Sequence, residues 1–218
     1  MPRSVFITAS DTHAGKTWVT TSLVTQGLAS GMDIQALKPI ASGVNKRGIN
    51  EDVEALALVQ HIAPATINHV TYQAAKAPAI AARLEHKSWA LPEMLQWLES
   101  QQKQKDVTLI EGVGGLMVPL YADKQKTWLV SDWLQRMPDV EVMLVVPLRL
   151  GCINHALLSC EHLKHLGKPP RWLVFNDMDN NQSFAETRDV LQPVLHHILA
   201  DKLDILHVPY GGAVPCIW

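Results

Sequence analysis

The residue types best suited to chemistry stand close to the N-terminus, in Ser10-Asp11-Thr12-His13-Ala14-Gly15-Lys16-Thr17. An apolar run, Val5-Phe6-Ile7, precedes them, and Trp18 to Val24 follows with helical character. Strand, Gly-Lys-Thr turn and helix form the frame of a phosphate-binding loop. Backbone N–H groups at such a helix start point at phosphate oxygens, and the helix dipole adds to the field. Gly15 lets the backbone come close, since a Cβ there would take phosphate space. Lys16 is expected to bridge the β- and γ-phosphates of ATP, with the Thr17 hydroxyl on Mg²⁺. Asp11, His13 and Ala14 complete the nucleotide loop. The pattern departs from G-x-x-x-x-G-K-[ST], because its first Gly falls at Ser10 and Ala9 is not Gly either. On the tripeptide alone, an ordinary anion-friendly helix start remains open.

Two further places carry reactive groups. Lys38-Pro39-Ile40-Ala41-Ser42-Gly43 follows a short apolar run. Open parallel sheets bind ligands beyond the carboxyl ends of their strands, and Pro39 holds Lys38 on a stiff turn. A solvated loop lysine is the alternative. Val107-Thr108-Leu109-Ile110 reads as a buried strand ending in a glycine-rich turn, Glu111-Gly112-Val113-Gly114-Gly115. Glu111 is expected at Mg²⁺, directly or through water, with a capping acid as the plainer account. Asp52 stands among acids in the first turn of a helix, where dipole compensation explains it without function. In Arg149-Leu150-Gly151-Cys152-Ile153-Asn154-His155-Ala156, Asn154 either caps the helix or leaves N–H groups free to grip a carboxylate. Cys152 shows no partner base and reads as an inert small residue.

These residues must be positioned by alternating strands and helices. Strands are expected at Val5–Thr8, Ile34–Leu37, Val107–Ile110, Val140–Val146, Trp172–Asp177 and Ile205–Val208. Helices are expected between them, including Thr127–Arg136 and Ser183–Leu199, the latter kinked or broken at Pro193. The alternation predicts an α/β fold: a doubly wound, mostly parallel sheet flanked by helices, of P-loop type, in one domain over residues 1–218. At 218 residues and 47% hydrophobic content the chain can bury one sizeable core. A net charge of −2 gives no strong pull toward nucleic acid or an anionic membrane. No stretch is apolar for long enough to suggest a transmembrane helix, and no signal peptide is apparent. Cys152, Cys160 and Cys216 form an odd, scattered trio, which fits reduced thiols in cytoplasm. The histidines show no zinc-type spacing partnered by cysteine.

Taken together, the four stretches resemble the dethiobiotin synthetase family, in order and over residues from about 3 to 210. Lys-Pro-x-x-Ser-Gly and Gly-Cys-Ile-Asn-His carry most of the likeness. The resemblance implies that ATP, CO₂ and 7,8-diaminononanoate give dethiobiotin, ADP and phosphate. By the same resemblance, Lys16 and Lys38 stabilise charge on the carbamate and the transferring phosphoryl group. Thr17, Asp52 and Glu111 surround Mg²⁺. Thr12 and Ser42 bond the carbamate or the amines. Gly151, Cys152, Ile153 and Asn154 take the substrate carboxylate across a homodimer interface. Asn176 reads the adenine, with Pro209 beside it. The family commonly has Gly at Ala9, often an acid at His13, and Ser-Pro-His where this chain has Ala77-Pro78-Ala79. It also commonly extends beyond the position of Trp218 to enclose the base, so a more open adenine end is expected. Two other readings stand beside the enzyme: a nucleotide-dependent switch of the partitioning type, whose signature lysine would fall at Asp11, and an inactive relative of the synthetase.

Overall fold

The computed structural model describes residues 3–87, 90–180, 183–199 and 203–218. In chain order the elements are β1 (Arg3–Ala9), α1 (Lys16–Ala29), β2 (Ile34–Leu37), β3 (Ile40–Ser42), α2 (Glu51–Val59), α3 (Pro64–Ile67), β4 (Val70–Tyr72), α4 (Pro78–Leu84) and α5 (Leu91–Gln102). There follow β5 (Val107–Gly115), β6 (Pro119–Ala122), β7 (Thr127–Leu129), α6 (Val130–Gln135), β8 (Val140–Pro147), α7 (Cys152–His165), β9 (Trp172–Asn176), α8 (Phe184–Leu199) and β10 (Asp204–Val208).

Six strands form one sheet in the order β10-β9-β8-β1-β5-β2, with every pairing parallel. Parallel sheets have both faces covered by their crossover helices, so their inner strands read as unbroken apolar runs. Val5, Phe6 and Ile7 of β1 are fully buried. Phe6 lies opposite Ile110 on one side and Val142 on the other. Its ring meets Trp133 edge to face at 4.8 Å between centroids. The chain winds from β1 toward β5 and β2 on one side and toward β8, β9 and β10 on the other. The reversal at β1 opens a crevice at the carboxyl ends of the central strands, which is where such sheets hold ligands.

Three segments depart from the sequence expectation. Thr127-Trp128-Leu129 is a strand, not the start of a helix; it pairs antiparallel with β6, and α6 begins only at Val130. A β-branched residue and an aromatic suit a pleated surface, and the distant partner strand decides the matter. The glycine-rich stretch after Glu111 is not a turn. β5 runs on through Gly115, which pairs with Ala9 after a register shift between Ile7 and Ala9. Of the two outcomes expected at Pro193, a kink or a break, the break does not occur: α8 continues to Leu199. Buried Thr187, Leu191 and Leu195 anchor that helix on both sides of the proline and offset the lost backbone bond. Asn50 caps α2 by accepting a hydrogen bond from the Val53 N–H at 3.0 Å.

Candidate active site

α1 begins at Gly15, whose φ of 85° lies in the left-handed region that glycine tolerates best. No side chain caps this helix start, and its first turn carries no acid. Its backbone N–H groups are therefore left for an anion. The end of β9 braces the loop: the Asn176 side-chain Nδ2 donates to the Ala14 carbonyl at 3.0 Å. A Cβ on Gly15 would come to 2.1 Å from that same nitrogen, so no other residue fits without displacing Asn176.

Lys16 is buried at the first helical position. Burial, and then the neighbouring Lys38 charge, pull its pKa down to about 8. Lys38 comes from the end of β2 and is 3% exposed. Its ammonium donates to Glu111 Oε1 at 2.6 Å and to the Gly112 carbonyl at 3.0 Å, and lies 3.5 Å from Asp52 Oδ2. Burial alone would lower the Lys38 pKa. The charges and hydrogen bonds of Glu111 and Asp52 outweigh it and hold the value above that of an ordinary lysine. Glu111 is fully buried, and its Oε1 also accepts from the Thr17 hydroxyl at 2.8 Å. The Glu111 carboxylate thus ties the phosphate-binding loop to the β2 lysine.

These groups open into a cavity of about 630 Å³. Thr12, His13, Ala14, Gly15, Lys16, Thr17, Lys38, Ser42, Asp52 and Glu111 all line it. Residues from four separated stretches meet there, as the carboxyl edge of a doubly wound sheet allows. Other expected site residues stand elsewhere. Asp11 does not line the cavity; one carboxylate oxygen accepts from the Thr12 N–H at 2.7 Å, and the other pairs with Arg149. Asn176 is behind the loop as its brace, and exposed Pro209 is not part of the lining. Gly151, Cys152, Ile153 and Asn154 lie outside the cavity of their own chain. Asn154 is not the cap of α7: Gly151 holds the cap position, at φ 90°, with no side-chain bond. Cys152 and Cys160 are buried, and burial pushes the Cys160 thiol up to about 12, which leaves it unreactive.

The lining also includes residues that the sequence reading passed over, among them Glu51, Lys76, Pro78, Val113 and Met178. A lysine two residues before a helix-starting proline was the one signal available for Lys76.

The polar set fits a divalent cation shared with phosphates. Glu111 Oε2 is buried without a hydrogen-bond partner, while Thr17 Oγ1 and the half-exposed Asp52 carboxylate stand in the same cavity. Among the described residues no group of three or more His, Cys, Asp or Glu could cage a metal unaided.

Sheet order, left-handed glycine, buried lysine and the carboxylate that β5 contributes define a P-loop nucleotide-binding α/β protein. A family model described as an AAA domain matches residues 3–215. Among solved structures, the septum site-determining protein MinD with Mg-ADP from Pyrococcus horikoshii is similar at TM-score 0.55 and 18% identity, over 96% of this chain and 82% of that one. A ParA family ATPase from Chlorobium tepidum is similar at TM-score 0.51 and 14% identity, over 95% and 84%. At those identities the likeness is one of fold. Curated relatives are nearer: the ATP-dependent dethiobiotin synthetase BioD of Cellvibrio japonicus is 36% identical over 98% of this chain and 89% of its own length. That of Chromohalobacter salexigens is 36% identical over 96% and 88%. BioD 1 of Escherichia coli O157:H7 is 33% identical over 82% and 79%. The chain belongs to the dethiobiotin synthetase family, a family of ATP-dependent ligases that form carbon–nitrogen bonds in biotin biosynthesis. No helix among the described residues is long and apolar enough to cross a membrane.

Proposed function

We propose that this chain converts 7,8-diaminononanoate and CO₂ to dethiobiotin at the expense of ATP. It works as one P-loop domain over residues 1–218, as a homodimer in the cytoplasm. One amine attacks CO₂ and loses a proton, giving a carbamate. A carbamate oxygen attacks the γ-phosphorus, and ADP leaves with the electron pair of the broken P–O bond. The second amine attacks the carbonyl carbon and loses a proton; phosphate departs and the ureido ring closes.

Phosphoryl transfer asks a protein chiefly for position and charge. Lys16 and the N–H groups of the loop hold the β- and γ-phosphates. Lys38, kept charged by Glu111, faces the carbamate and the phosphoryl group in transit. Thr12 and Ser42 orient the carbamate or the amines; the Ser42 hydroxyl is buried with no hydrogen-bond partner, which leaves it free for a substrate. Thr17, Asp52 and Glu111 hold Mg²⁺, which neutralises phosphate charge when bound. Asn176 reads the adenine, with Pro209 beside it. The start of α7 from Gly151 to Asn154, where Gly151 and Asn154 are exposed and outside their own cavity, takes the substrate carboxylate in the partner's site.

The observation that carries this reading is the buried Lys38–Glu111 pair, bonded to the Thr17 hydroxyl, in a cavity shared with Lys16. The test is phosphate release with dethiobiotin followed by mass spectrometry. Release that needs both diamine and bicarbonate, with dethiobiotin formed, is the expected result. Hydrolysis indifferent to diamine would point instead to a partitioning-type switch, and no hydrolysis to an inactive relative.

A further inference from the structure

The cavity holds one cation that the chemistry so far leaves unused. Lys16 enters from the phosphate-binding loop, and Lys38 is matched by Glu111 and Asp52. Lys76 enters from the loop between β4 and α4, and among the described residues its ammonium has no ion-pair or hydrogen-bond partner. We propose that Lys76 is a catalytic cation that binds the phosphoryl group in transit from ATP to the carbamate. This rests on the reading of function above.

The loop that presents it is tied down. Glu85 Oε1 accepts from the N–H groups of Gln73 and Ala74 at 2.7 and 3.2 Å, and Lys87 holds Glu85 in turn at 2.8 Å. The Val44 N–H donates to the Gln73 carbonyl at 3.1 Å. Gly43 adopts a φ of +89°, and a Cβ on it would come to 3.2 Å from the Ala75 Cα. The Lys76 loop is thereby clamped to the segment that carries Ser42, whose buried, partnerless hydroxyl lines the same cavity. Ala75, Ala77 and Pro78, which flank Lys76, line the cavity with it. A lysine on a fixed backbone, with no ion-pair partner among the described residues, is left to an anion. The pair of Lys76 and Ser42 supplies a cation and a hydroxyl from outside the nucleotide loop, and a phosphoryl group leaving ADP must be met from outside that loop.

The probe is inorganic phosphate, titrated calorimetrically into the protein saturated with Mg-ADP. Lys76→Met should weaken phosphate binding about tenfold, as expected for one charge-assisted hydrogen bond, and leave ADP affinity unchanged. Lys76→Arg should restore most of it, and kcat should fall in Lys76→Met more than KM for the diamine rises. Equal phosphate affinity in wild type and Lys76→Met overturns the proposal, as does a parallel loss of ADP affinity, which would make Lys76 a nucleotide contact. Absence of phosphate binding by the wild type overturns it as well. The titration needs no turnover. If phosphate binding depends on Lys76 but no dethiobiotin forms, the function reading fails while the anion contact stands.

Discussion

Two helices of 14 residues, α1 and α7, begin in the same way and end up in opposite circumstances. Each starts at a left-handed glycine, with no side-chain cap and no acid in its first turn. At α1 the start is enclosed: Asn176 is pressed on Gly15, Lys16 is buried, and Glu111 receives Thr17. At α7 a Cβ on Gly151 would meet nothing within 4 Å, and Leu150 beside it is 90% exposed. The same local device therefore makes a finished anion site in one place and an open one in the other. The neighbours make the difference, since neither start has a side-chain cap. A start with nothing around it is what a site completed by a second chain requires.

Substitutions can break or sharpen this contrast, and the largest effect belongs to the enclosed end. Lys16→Met should lower turnover on the order of a thousandfold, the scale of removing one preorganised charge contact, without unfolding the protein. The pH dependence follows from its pKa. An unfolded lysine titrates at 10.5 and Lys16 in the fold at about 8. Between those values the unfolded chain holds the extra proton, so this group makes stability rise with pH across the window. Its cost is present in full below pH 8. Urea melts should show Lys16→Met stabilised at pH 7, with the gain fading toward pH 10.5. A destabilised variant with normal turnover would remove Lys16 from its assigned place.

Glu111→Gln comes next. It leaves Lys38 with Asp52 as its one charged partner, and breaking a buried pair costs about 3 kcal/mol, readable as a lower urea midpoint. The Mg²⁺ concentration for half-maximal turnover should also rise; an unchanged Mg²⁺ titration would argue against a metal role. Gly15→Ala and Gly151→Ala then form a direct test of the comparison. Both pay about 1–2 kcal/mol for left-handed backbone, but only the first must also push Asn176 aside. Gly15→Ala should lose more stability and weaken ADP binding by calorimetry. Gly151→Ala should keep ADP affinity and raise KM for the diamine. Equal losses in both would erase the distinction between enclosed and open. Smallest of all, Asn154→Ala should shift stability by less than about 0.5 kcal/mol, as exposed sites do, while raising KM for the diamine. A cap's penalty of about 1 kcal/mol would contradict the position seen for Asn154.

Much of this was legible in residues one by one. Gly15-Lys16-Thr17 announced a phosphate loop because its chemistry is local. Lys38 before Pro39 marked a strand end, and Glu111 after Val107-Thr108-Leu109-Ile110 marked an acid on a buried strand, although that strand runs on past it. Contacts between distant segments were not legible. Nothing in Asn176 indicates that it braces Ala14, nor in Asp52 that it shares Lys38 with Glu111. Thr127-Trp128-Leu129 looked helical because its strand partner lies around a hairpin. Asn154 looked like a cap because asparagine so often is one, yet Gly151 already held that position. The glycines after Glu111 read as a turn, while β5 uses them to approach Ala9. Lys76 escaped notice because its meaning depends on Gly43 and Glu85, neither of which is a neighbour in sequence.

The central place of β1 has a consequence for how the chain acquires its shape. Both of its neighbours, β5 and β8, lie roughly a hundred residues or more downstream, as the pairing of Ser4 with Thr108 and Val140 shows. On a ribosome β1 emerges long before either partner, an apolar ribbon with two bare edges. Such distant parallel pairing is slow to form and exposed to aggregation while it waits. Nascent chains that stop short of Pro147 should therefore be strong chaperone clients, and the catalytic loop at the end of β1 takes shape only once the middle of the protein has been made.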